Sequence, residues 1–299
     1  MNLVFSSMKG YDCENYHEYS EHHQRVILDT INQAEFSKAV EMSSTVISQL
    51  DKVKADARRH ERNSIFIETC KFHVLNHLSR FWEFILHGQY YKSWCSLQDA
   101  LDNLRNMKRF SDHDSALLDF LEVQLKAIES VYPYQLFSST GIIFEGCNCS
   151  ICGEDIDSFE CCHIQGELYD GEIAIGIVQN IKKFDHLALV EHPEDKRCVI
   201  GADDNHPNML VLRDLGQYVL QGKLKPLGFK DVLKVELDKA NDDYVELKPN
   251  QKCFCGSGFK FKKCCRGKTT VRHKHYEFIG IGESVSSTNY LRSQILPRC

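Results

Sequence analysis

The chain has 299 residues, 26% of them charged and 42% hydrophobic, the proportions of a folded protein with room for two domains or for one with appendages. Met1 to Tyr11 lacks the basic start and apolar run of a signal peptide, and no run of about 18 uncharged apolar residues occurs, so a cytoplasmic protein with no membrane span is expected. The net charge of −6 is unevenly spread: residues 251–299 hold ten Lys/Arg against two acids, a net of +8, which leaves −14 on the remainder. A basic tail on an acidic body suits an anionic partner, or a tail folded back on its own body.

From Tyr16 to Tyr132 the apolar residues recur at helical spacing. Val46, Leu50, Val53 and Ala57 form one stripe, with Lys52, Lys54, Asp56 and Arg58 between them. Ile65 to His87 is apolar on more than one face, as a central helix would be, and Gly88 interrupts it. Leu97, Ala100, Leu101 and Leu104 mark the next helix. Ser111 and Asp112 are N-cap candidates for another, carrying Leu117, Leu118, Leu121, Leu125 and Ile128 until Pro133 stops it. Four or five helices with short connections make a bundle. Beyond Pro133 the pattern changes. Glu167 to Val178 reads as a strand pair around the turn Tyr169-Asp170-Gly171-Glu172, Leu187 to Val190 as a strand, and Leu210 to Gln221 as a short helix; Val232 to Ala240 and Tyr244 to Leu247 are ambiguous.

Fourteen cysteines are present, five between Cys147 and Cys162 and four between Cys253 and Cys265. Tight clusters in a chain without a leader indicate metal rather than disulfides. In the second cluster Cys253-Phe-Cys255 supplies two corners of a tetrahedral site, Gly256-Ser257-Gly258 reverses the chain, and Cys264-Cys265 closes it. With four soft ligands and no open position, the site is a structural zinc site. In the first cluster Cys149-x2-Cys152-Gly153 is half of a zinc knuckle. The other half is Cys161 or Cys162 with His163; alternate residues of an extended segment face one side, which favours Cys161 and His163 and leaves Cys147 and Cys162 spare. A catalytic zinc with an open position, served by Glu154 or Glu160, is the alternative there.

The run from Pro249 and Asn250 through Cys253, Cys255, Gly256-Ser257-Gly258, Lys260, Lys262, Lys263, Cys264 and Cys265 resembles the SEC-C motif. That motif ends the bacterial translocase motor SecA and recurs as an appendage on unrelated bacterial proteins. The resemblance covers about 20 residues and implies a zinc knuckle that contacts ribosomes, partner proteins or acidic surfaces, not a reaction. Such appendages also make a component of a toxin–antitoxin or phage-defence assembly a plausible setting. The chain holds no Walker motif, nucleophile elbow or Ser-His-Asp order.

Arg80 and His87 lie seven residues apart on one face of a helix, and the pair resembles the signature of HEPN ribonucleases, in which such residues polarise a phosphodiester and act as acid and base. A structural role is the competing reading. Trp82, Phe84, Tyr90, Tyr91 and Trp94 around Gly88 are either core or an exposed patch for a peptide partner. His273, Lys274, His275 and Tyr276 either extend a basic surface toward RNA or form a strand that packs the knuckle on the body. The expected architecture is α+β: a helical bundle over 1–135, a β-rich zinc-binding module over 136–248, and a SEC-C zinc knuckle with a basic tail over 249–299. The expected function is an adaptor holding two zinc ions. A ribonuclease built on Arg80 and His87 is the rival.

Overall fold

The structure, a computed structural model, describes residues 16–111, 116–205, 209–241, 247–255, 257–281 and 284–286. The fold is α+β, with the helices at its N-terminal side: α1 (Tyr16–Asn32), α2 (Phe36–Asp56), α3 (Arg59–Leu86), α4 (Tyr90–Phe110) and α5 (Ala116–Glu129). The apolar stripes of the sequence are the buried ones, Val46 and Leu50 on α2, Leu97 to Leu104 on α4, and Leu118 to Ile128 on α5. α3 buries side chains around most of its circumference, Phe72, Phe81 and Trp82 among them, as an interior helix must.

Each helix end has a local cause. The Arg58 N–H donates to the Glu61 carboxylate at 3.0 Å and starts α3 directly after α2. Gly88, at φ +69°, closes α3. There the Gln89 N–H reaches the Phe84 carbonyl at 2.9 Å and the Gly88 N–H reaches that of Ile85 at 3.1 Å, the paired bonds of a left-handed C-terminus. Ser111 directly follows α4, its N–H donating to the Met107 carbonyl at 2.9 Å, and the residues between it and Ala116, the expected cap Asp112 among them, lie outside the described residues. Trp82, Tyr90 and Trp94 are core residues, while Tyr91 sits at the surface with its hydroxyl donating to the Arg197 carbonyl.

After Pro133 come two long antiparallel strand pairs. β1 (Phe137–Cys149) pairs with β4 (Gly176–Val190), and the hairpin of β2 (Leu168–Tyr169) and β3 (Glu172–Ile173) lies between them in sequence. Asp170 at φ +50° and Gly171 at φ +83° make the two-residue turn that Asp-Gly favours. The strand pair expected over 167–178 is thus two residues long on each side, and Leu187 to Val190 is the end of a 15-residue strand. α6 (Leu210–Leu220) lies on α3 at Gly216, where a Cβ would come 3.0 Å from Ile85. β5 (Phe229–Ala240) pairs with β6 (Thr270–Gly280), and β7 (Ser284–Ser286) pairs with β6.

This pairing crosses the boundary expected at 248/249: β5 and β6 form one sheet, with the second cysteine cluster inserted between them. α6 and β5 also share the bundle's buried core, so the 136–248 segment is not a layer of its own. The run from His273 to Tyr276 lies in β6, with Tyr276 turned inward; the side chains of His273 and Lys274 lie outside the described residues. No helix among the described residues is long and apolar enough to cross a membrane.

Both strand pairs are rooted in the bundle. Phe137 is buried at the base of β1, beside a loop held by the Trp94 indole N–H, which donates to the Lys196 carbonyl at 2.7 Å. Phe229 at the base of β5 stands edge-on to Trp82, with ring centroids 6.3 Å apart, and to Phe278 at 5.7 Å. The fully buried Gln124 of α5 donates to the carbonyls of Pro226 and Phe229, at 3.0 and 2.7 Å. Gln124→Leu strands both carbonyls without a donor and should lower stability by about 2–4 kcal/mol in urea unfolding, with the helical circular dichroism of the native state unchanged.

Candidate metal centres and a polar groove

The first cluster begins where β1 ends. The Cys149 N–H donates to the Glu154 carbonyl at 2.7 Å and the Gly153 N–H donates to the Cys149 carbonyl at 2.8 Å, a tight loop that Gly153 completes at φ +80°. The loop swings Cys152 back beside Cys149, and the following segment brings up Cys161 and His163. The Cys152 and Cys161 sulfurs are 3.7 Å apart, and Cys161 Sγ is 4.0 Å from His163 Nδ1. The His163 ring stands edge-on to Tyr169, centroids 4.7 Å apart. Ligand atoms of Cys149, Cys152, Cys161 and His163 all lie within 4.8 Å of one another, a set that could hold a metal ion. It contains Cys161 rather than Cys162, which is exposed, and it omits Cys147.

The second cluster repeats the device. The Cys253 N–H donates to the Phe259 carbonyl at 2.7 Å, and a short 3-10 turn, Phe261–Lys263, delivers Cys264 and Cys265. Cys255 and Cys264 sulfurs are 3.4 Å apart, and those of Cys264 and Cys265 are 3.8 Å apart. The Asn241 side chain, at the end of β5, donates to the Cys265 carbonyl at 2.8 Å and fixes the cluster to its strands. Cys253, Cys255, Cys264 and Cys265 form the second set that could hold a metal ion.

Four ligands at about 2.3 Å around a tetrahedral ion stand about 3.8 Å apart, close to the sulfur spacings in both clusters. Thiol acidity agrees with that fit. Burial raises Cys255, but the hydroxyl and N–H of Ser257 and the neighbouring thiols outweigh it and bring it down to about 7. Cys265 is pushed up by burial and by Cys253 and Cys255 beside it. In the first cluster the His163 backbone favours the Cys161 thiolate, yet burial with Cys152 and Cys149 outweighs it and pushes Cys161 up to about 11. One thiolate forms readily and the next is resisted, which is the situation a bound cation relieves. Glu154 and Glu160 are exposed and stand outside the set that could hold a metal ion.

Arg80 and His87 are not brought together. The His87 ring lies 2.7 Å from the Glu83 carbonyl at the end of α3, whereas the Arg80 Nε–H reaches back one turn to Asn76 Oδ1 at 2.9 Å. Asn76 is itself held by donation to the Val40 carbonyl and the Ser43 and Ser44 hydroxyls. Arg80 instead lines an open groove of about 600 Å³ between α2, α3 and α4, with His73, His77, Phe84 and Asp99. His77 Nδ1 is 3.7 Å from Asp99, whose carboxylate is held by Arg197 at 2.9 Å. Burial lowers His77, against the pull of Asp99, and lowers His73, so the surroundings favour the neutral form of both imidazoles. The spacing His73-x3-His77-x2-Arg80 puts all three on one helix face, a signal present in the sequence but less conspicuous than the motif-like Arg80–His87 interval.

No family model, curated protein or solved structure matches this chain. The clusters therefore rest on their own geometry. Mass spectrometry of purified protein should find two metal ions per chain, falling to one in Cys149→Ser/Cys152→Ser and to one in Cys253→Ser/Cys255→Ser. Cys147→Ser and Cys162→Ser should leave two. Because protons compete for the same sulfurs, both ions should be lost as the pH falls.

Proposed function

We propose that both ions are structural zinc and that the chain is an adaptor, whose C-terminal knuckle, of SEC-C type, contacts RNA in ribosomes. Cysteine-rich, tetrahedral, closed ligand sets are the zinc pattern, and a closed set stabilises a fold instead of activating water. One observation carries the partner assignment. Lys252, Lys260, Lys262, Lys263, Arg266 and Lys268 surround the second cluster with no acid between residues 249 and 269. All six are exposed, and none is ion-paired among the described residues. Phe259 stands among them, 65% exposed, available to stack on a base.

Six phosphate contacts would give log K a slope of about −4 to −5 against log salt. Co-sedimentation of the zinc-loaded protein with ribosomes across a salt series should show that slope. It should fall by about 2 to 3 in Lys260→Gln/Lys262→Gln/Lys263→Gln, and binding should vanish in Cys253→Ser/Cys255→Ser. Absence of binding at low salt would sink the ribosome reading.

The groove favours a second reading, an RNA-cleaving site on Arg80. A guanidinium pinned by a fully bonded Asn76 beside neutral imidazoles offers a cation for a phosphate oxygen and a base for a hydroxyl. Cleavage of RNA should then be lost in Arg80→Ala. Loss in His77→Ala but not in His87→Ala would identify the imidazole, and unchanged RNA in a sensitive assay retires the reading.

A further inference from the structure

The β1–β4 pair is held at both ends. At its base Phe137 is buried and Val190 packs on the core; at its far end Cys149 is buried in the first cluster. That cluster's hairpin is tied to the bundle by Arg59 to Asp170 at 3.1 Å, Arg109 to Glu167 at 2.6 Å, and the Gly171 N–H to Asn63 at 2.7 Å. Phe137, Val190 and Cys149 belong to one face of the ribbon by strand alternation, so that face turns inward at both ends. The opposite face turns outward along its whole length.

The outward face consists of six cross-strand pairs running from Ser138–Leu189 to Asn148–Ile177, and none of its twelve residues is charged. Charge is kept to the other face and the bulges, at Glu145, Lys182, Lys183 and Asp185. On β4 the outward residues Ile177, Ile181, Phe184, Leu187 and Leu189 are 48, 55, 75, 66 and 63% exposed, and Phe144 across from Ile181 is 39% exposed. Together they present on the order of 600 Å² of contiguous apolar surface, the scale of an interaction site and close to the ~800 Å² per partner of a standard interface.

We propose that this face is the contact surface of a homodimer, two copies meeting ribbon on ribbon about a two-fold axis. An uncharged face offers nothing to select an acidic or basic partner, whereas a two-fold contact sets the same surface against itself. Apolar side chains then meet apolar side chains, with no like charges opposed. Register shifts between Gly141 and Ile142 and between Ile143 and Phe144 bend the ribbon at its middle, where Phe184 stands most exposed. With the axis there, Phe184 of each copy packs against Ile181 and Phe184 of the other, and Leu187 and Leu189 extend the contact. The proposal rests on the ribbon and is independent of the adaptor reading.

Sedimentation equilibrium of the full, zinc-loaded chain up to about 100 μM, a range that covers dimers of micromolar affinity, tests it. A species of twice 34.5 kDa is expected. Phe184→Lys/Leu187→Lys, and separately Ile177→Lys/Ile181→Lys, should weaken the dimer at least about 100-fold, as hot-spot charges do, with circular dichroism and metal content unchanged. Lys183→Glu, on the other face, should leave it intact. A chain that stays at 34.5 kDa throughout overturns the proposal, and so does a dimer that survives either folded double variant.

Discussion

The packing of Phe229 between Trp82 and Phe278 is the contact on which the second half of the molecule depends. Trp82 sits near the C-terminal end of α3, stacked on Phe36 with ring centroids 6.0 Å apart and fully buried. Phe229 opens β5 and Phe278 lies near the end of β6, so one aromatic junction ties both strands to the bundle. From that base the strands pair outward through Ala240 and Thr270, and the loop between them carries the second cluster. The first ribbon follows the same plan from Phe137. The strand pairs fix where each cluster begins, and the loop hydrogen bonds and the 3-10 turn between the strands bring the remaining ligand residues together.

Much of this architecture is legible in the amino-acid sequence alone. The bundle is, because burial of a helix stripe follows from three- and four-residue spacing, as at Val46 and Leu50. The clusters are, because close cysteine pairs leave few other ways to build four soft corners. The two groups that could hold a metal ion are made of the cysteines and the histidine singled out in the sequence, with Cys161 and not Cys162 among them. The strands are harder to read. β1 and β4 pair over twelve positions, but β4 exposes most of its side chains and so lacks the apolar–polar alternation that betrays a half-buried strand. The β5–β6 sheet straddles an insertion, and non-local pairing leaves no local trace.

The charge asymmetry of the chain acquires a structural meaning at the two clusters. Between Cys147 and Ile181 there are seven acids and no Lys or Arg, whereas 249–269 holds six cations and no acid. In the first segment Glu167 and Asp170 are taken up by Arg109 and Arg59 to dock the hairpin, which leaves Glu172 on β3 and, exposed in the loop that carries Phe159, Glu154, Asp155, Asp157 and Glu160. The second has no such internal use for its charge. A tail folded back on an acidic body would show those cations in ion pairs, and among the described residues they make none. Two similar scaffolds, each a strand pair ending in a cysteine cluster with an exposed phenylalanine, therefore present opposite potentials. A metal ion held by either group would cross-link its loop, and a cross-linked charged rim loses less entropy on docking than a flexible loop of the same composition. That contrast in charge is the physical reason to look for this protein's partners at the two rims.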